Sequence, residues 1–284
     1  MEKRKLGKTG EYLTVVGFGG IAVNGETSEY AAGLVARAVE EMGINYFDVA
    51  PSYGNAEEML GPALEPYRKG VFLACKTGKR DAATAEEELH TSLKRLRTEH
   101  FDLYQLHAVK TPDDVAQILG PKGALETFVK ARERGLVRYL GFSAHSEEAA
   151  VALMEQFDFD TILAPFNWAC WHKGNFGPRM LAEAQKREMG ILALKALAKR
   201  RWRDGEARRW SKTWYSPVDT YEEAQLALRF TLSKPVTAAV SPGHEELLAW
   251  MCNIVANFAP ISTEEDAQLA QWSADLDVIF PEQH

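Results

Sequence analysis

At 284 residues, with 46% hydrophobic and 26% charged side chains, the chain has the composition of an ordinary globular protein long enough for one large core. A formal net charge of -7 is the wrong sign for a general nucleic-acid binder, and no run of about eighteen apolar residues is present to span a membrane. The opening MEKRKLGKTG lacks the apolar stretch of a signal peptide, and Cys75, Cys170 and Cys252 are widely spaced and odd in number, so a reduced cytoplasmic chain with buried thiols is expected.

Taken in chain order, KRKLGKTGEYL (3–13) predicts a small hairpin with KTG at its turn. A strand LTVVGFGG (13–20) follows, then a helix over 28–42 that opens at Ser28 and stops at Gly43. The strand INYFDVA (44–50) leads to a short helix over 56–66. The strand VFLACKT (71–77) leads to a helix over 84–97, with Thr84 and Glu87 spaced as a capping box. FDLYQLHAV (101–109) precedes a helix over 123–134, and VRYLGFSAH (137–145) one over 146–156. TILAPFNW (161–168) precedes 178–189, GILALKAL (190–197) precedes 219–232, and VTAAVSPG (236–243) precedes 244–258. The tail from Ser262 reads as a capped helix and a short end. Each apolar run has the length and bulk of a strand buried on both faces. Eight strand–helix repeats with no Pro/Gly/Ser linker predict one domain over 1–284: a (β/α)8 TIM barrel with an N-terminal β-hairpin. A doubly wound sheet is the competing arrangement, and eight units without an insert favour closure.

Catalytic groups of such a barrel stand at the C-terminal ends of its strands. Asp48, Lys76 and His107 fall near the ends of three successive runs, and Tyr53 on the loop after the first of these. Each alone has an ordinary explanation: a turn cap, a solvated strand end, a core histidine, a half-buried aromatic. Together at one rim they cohere chemically. A phenol is a weak acid at neutral pH, and a nearby ammonium lowers its pKa. Lys76 is the candidate ammonium, held and compensated by Asp48, while His107 is placed to donate to a carbonyl oxygen. Such a site lacks a nucleophile and metal spacing, so no metal is expected; it calls for a hydride from a cofactor.

At these residues the chain resembles the aldo-keto reductase family. FDVAPSYGNAEEMLG is similar to its Asp-x-x-x-x-Tyr motif and the segment after it, and ACKTG and YQLHAV to its Lys and His motifs, in the same order. The resemblance implies NAD(P)H-dependent reduction of a small-molecule aldehyde or ketone. It assigns Tyr53 as proton donor, Lys76 and Asp48 as tuners of its pKa, and His107 as the group orienting the carbonyl. It also places Ser143, Lys195, Ser241, Gly243 and Asn253 in the cofactor cleft, and Ile21 and Ala108 in the substrate pocket; Gly20, at a tight strand end, is expected to line the same cleft, and Trp168 of NWACWH is expected either in the substrate pocket or in the core. Departures lie around the cofactor. Ala144 stands where the family has the Asn that binds the carboxamide, Leu163 where it has a Gln, and Leu194 or Lys195 where an aromatic stacks on nicotinamide. Gly243 and Ala249 replace the basic residues that take the adenosine 2′-phosphate, which weighs for NAD(H). KRRWRDGEARRWSKTWY (199–215) weighs the other way, because Arg forks suit phosphates, and tips the expectation slightly to NADP(H). Surface ion pairs are the plain alternative for that loop. A non-catalytic, nicotinamide-sensing subunit on the same barrel is the alternative for the whole chain.

Overall fold

The computed structural model describes residues 1–281. The chain opens with the predicted hairpin, β1 (Lys3–Lys5) paired antiparallel to β2 (Tyr12–Thr14). Eight parallel strands then close into a barrel: β3 (Val16–Gly19), β4 (Tyr46–Asp48), β5 (Phe72–Thr77), β6 (Phe101–Val109), β7 (Val137–Ala144), β8 (Thr161–Ala164), β9 (Gly190–Ala193) and, beside β3, a last strand Ala238–Val240. Parallel strands need long crossovers, and helices supply them: α1 (Ser28–Ala36), α2 (Ala56–Leu64), α3 (Ala82–Arg95), α4 (Pro112–Leu119), α5 (Ala124–Glu133), α6 (Glu147–Gln156), α7 (Trp168–Gly174), α8 (Pro178–Lys186), α9 (Tyr221–Leu232) and α10 (Glu245–Ala256). The tail helix α11 (Thr263–Ser273) carries a capping box of Ser262 and Glu265.

The barrel interior is apolar: Tyr46, Phe72, Leu103, Leu163 and Leu192 interdigitate, and Leu6 and Leu13 of the hairpin close one end of the same cluster. A larger core lies between strands and helices. The hairpin is fastened by Lys8 N–H to Glu188 O at 2.9 Å. Gly7, at φ 50°, lies so close to the Met189–Gly190 backbone that no side chain fits there.

Several expected boundaries move. The α3 cap is Asp81, whose carboxylate accepts from Thr84 N–H at 3.0 Å, so Thr84 and Glu87 form no capping box. Proline-led α4 follows a capping box of Thr111 and Asp114 within what reads as loop. The run 161–168 is not one strand: β8 stops at Ala164, and Asn167 caps α7 by accepting from Cys170 N–H at 2.9 Å. The basic stretch forms an antiparallel ribbon, β10 (Ala198–Arg201) with β11 (Tyr215–Pro217), so the strand Ala238–Val240 is β12.

Candidate active site

Strand alternation turns Asp48, Lys76 and His107 towards the mouth of the barrel at its C-terminal end. Lys76 Nζ makes an ion pair with Asp48 and donates to Val49 O at 3.3 Å and to the Tyr53 hydroxyl at 3.5 Å. Both charged groups are almost fully buried, Lys76 at 1% and Asp48 at 3% exposure. Such a pair needs its remaining hydrogen-bonding capacity met. Asp48 Oδ2 accepts from Gln105 Nε2 at 3.1 Å and from the Tyr46 hydroxyl at 3.4 Å. Neither partner stood out in the sequence, yet each lies two residues before a site residue on its own strand, and so on the same face.

Tyr53 is set by a tight turn. Its N–H donates to Ala50 O at 3.0 Å, Gly54 at φ 60° lies against Asn24, and Asn55 Oδ1 accepts from Gly25 N–H at 2.7 Å. The Tyr53 pKa lies above the ordinary phenol value: burial raises it, Lys76 opposes, and Asp48 adds to the rise. Lys76 lowers the phenol's pKa as expected, and so offsets part of the larger burial effect. Burial pulls the Lys76 ammonium down, but Asp48 and Tyr53 outweigh it and hold the lysine charged.

His107 sits where the β6–β7 register breaks between Leu106 and Val109. Ala108 adopts φ 54° there, its N–H donating to Ser143 Oγ at 2.7 Å, and Arg80 donates to His107 O at 2.8 Å. The imidazole lies edge-on to Tyr53 at 5.9 Å between centroids, with Nδ1 at 3.4 Å from Ser52 Oγ. Burial, then Lys76 and Lys195, hold it neutral, with a pKa pushed down to about 3.

Asp48 and Tyr53 border a cavity of about 170 Å³, with Lys76 and His107 touching Tyr53 from behind its lining. Of the residues expected at the site, Asp48, Tyr53, Ile21, Lys195, Ser241 and Gly243 line it. The others do not. Gly19, not Gly20, forms the wall, and Gly20 is buried beside Val49. Ser143 and Ala108 are bonded to each other beside His107. Trp168 is buried at 2% exposure where α7 begins. Asn253 is exposed on α10, two turns beyond its start, and borders a surface groove with Met1 and Glu2. Trp214 and Tyr215 of the basic ribbon line the cavity instead; an aromatic beside a cationic run was the available signal.

The ribbon's charges are largely compensated. Lys199 pairs with Asp219 and Glu223, Arg200 with Glu206, Arg201 with Asp277, Arg209 with Glu246, and Lys212 with Glu26. Lys212 also donates to Ala22 O at 2.7 Å, fastening the ribbon to the loop after β3.

The sequence model of the Aldo/keto reductase family matches residues 15–273. The uncharacterised oxidoreductase YqkF of Bacillus subtilis is 26% identical over 98% of both chains. The aldo-keto reductase YhdN of the same organism is 31% identical over 59% of this chain and 54% of its own. Among solved structures, the holo form of aldo-keto reductase AKR11C1 from Bacillus halodurans superposes with a TM-score of 0.76 at 24% identity, covering 98% of each chain. Matched from the first barrel strand to the tail helix, the chain belongs to the aldo/keto reductase family.

Proposed function

We propose that the protein is an NAD(P)H-dependent reductase that converts an aldehyde or ketone to its alcohol. The observation that carries this reading is the contact chain Asp48–Lys76–Tyr53, ending at a cavity beside a neutral His107. The nicotinamide, when bound, supplies a hydride to the carbonyl carbon. Tyr53 donates its proton to the carbonyl oxygen as negative charge develops there. Its raised pKa keeps the phenol protonated at neutral pH, and Lys76 stabilises the phenolate left behind. His107, uncharged, offers a hydrogen bond that orients the carbonyl without competing as an acid.

The residues present fit a nicotinamide end. Ile21, Ser241 and Gly243 form a wall in which a Cβ at position 243 would press on Lys212 Cβ at 2.9 Å. At about 170 Å³ the cavity is smaller than the roughly 300–1,000 Å³ of ordinary ligand pockets, so the β10–β11 ribbon must swing outward to admit a dinucleotide. Lys212 is the latch of that movement. With five of the ribbon's seven cations already paired, Arg203 and Arg208 excepted, and Glu245 and Glu246 in the first turn of α10, a 2′-phosphate finds little free positive charge. The preference is therefore for NADH rather than the NADPH that the loop's composition suggests. Titration with each cofactor, read by tryptophan fluorescence, tests this: NADH should bind more tightly. Tighter NADPH binding overturns the preference, and binding of neither overturns the reductase reading.

A further inference from the structure

Lys195 follows the end of β9, and its side chain lines the same cavity as Tyr53. Of the other cations near the site, Lys76 has Asp48, Arg80 has Asp114 and Lys212 has Glu26 as carboxylate partners, while Lys110 has no ion pair among the described residues. Lys195 has none among the described residues. Its ammonium meets His145 Nε2 at 3.3 Å and the rings of Trp214 and Phe280 at 5.7 and 5.6 Å.

The backbone that presents this amine is built rather than incidental. Lys195 adopts φ 63°, a left-handed conformation that is unfavourable for a side chain bearing a Cβ. Asn167 Nδ2 and Ala198 N–H both donate to Lys195 O, at 3.1 and 2.8 Å, and hold it there. A strained residue with a half-buried, unpaired ammonium destabilises the fold twice, and such costs persist where a ligand uses them. His145 is kept neutral, its pKa pushed down to about 2 by burial and by Lys195, so its Nε2 accepts one ammonium proton. Two protons of the ammonium remain for a ligand. Burial, with Lys76 and Lys110, brings the Lys195 pKa down to about 7 against the opposing effect of Cys170; an anion beside it would restore its charge.

We propose that Lys195, steadied by His145, receives a carboxylate of the substrate, so that the enzyme reduces oxo acids, carbonyl compounds that carry a carboxylate. This rests on the reductase reading above, and binding separates the two. Benzoate and benzamide differ in charge but not in size, and neither carries a reducible carbonyl for this chemistry. Wild-type protein with NADH should bind benzoate about tenfold more tightly than benzamide, read by tryptophan fluorescence. Lys195→Met should collapse that ratio, and Lys195→Arg should restore part of it. In turnover, the ratio of kcat/KM for 4-carboxybenzaldehyde over benzaldehyde should fall about tenfold in Lys195→Met. An unchanged ratio in both measurements overturns the assignment. So does an NADH Kd that weakens as much as that of benzoate, because the anion at Lys195 would then belong to the cofactor. Charge-selective binding without reduction of either aldehyde would keep the carboxylate subsite and remove the reductase reading instead.

Discussion

Tyr53 must keep its proton until the carbonyl oxygen needs it, then release it without leaving an unstable anion. Burial meets the first demand and Lys76 the second. Reduction should therefore hold level from neutral pH to about pH 9, while alcohol oxidation, which needs the phenolate, rises with pH. Steady-state rates in both directions check this; a reduction rate falling from pH 7 upward would contradict it. Asp48→Asn leaves a buried ammonium without its counter-charge and should destabilise the fold by about 3–5 kcal/mol, seen in urea midpoints. The four chemically active side chains were legible because each lies at or beside a strand end, and strand ends share one rim. Gln105 and Tyr46 were equally available through two-residue alternation. A motif match did not report which turn of a helix Asn253 occupies; it lies exposed two turns along α10.

At the scale of elements, apolar runs located the strands but not where they stop. β8 and TILAPFNW differ because Phe166, Asn167 and Trp168 are as buried as strand residues, although Asn167 is already capping α7. α4 was missed because a proline two residues after a lysine reads as a turn, and only the Thr111–Asp114 reciprocity reveals a helix start. Asn167 serves two elements, capping α7 and holding Lys195 O. Asn167→Ala should cost about 1–2 kcal/mol of stability and also weaken benzoate binding. A stability loss with benzoate affinity unchanged would uncouple the cap from the Lys195 turn. The basic ribbon's pairing was not legible in its composition: apart from Arg200 with Glu206, its cations find acids on α9, α10, the tail and the loop after β3. Glu26→Gln should quicken NADH association in stopped-flow fluorescence by loosening the Lys212 latch; an unchanged rate would mean the ribbon does not limit access.

Across the whole molecule, the barrel supplies a rim and the hairpin supplies a floor. Leu6 fills the barrel end remote from the site, so Leu6→Ala should lower stability by about 2–5 kcal/mol through the void it leaves. His107 and His145 are held neutral with pKa values of about 3 and about 2, below the roughly 6.5 of an unfolded histidine. Between those values the unfolded chain binds more protons than the native one, so stability is lost as pH falls below about 6.5. The melting temperature should drop from pH 7 to pH 5, with a shallower slope in His145→Gln. No helix among the described residues is long and apolar enough to cross a membrane. The central claim is proton donation by Tyr53 to a carbonyl reduced by a nicotinamide hydride, and single-turnover NADH oxidation with 4-carboxybenzaldehyde in Tyr53→Phe tests it most directly. The account predicts a loss of about a hundredfold or more in the reduction step with the NADH Kd unchanged. Reduction at the wild-type rate in that variant would contradict it.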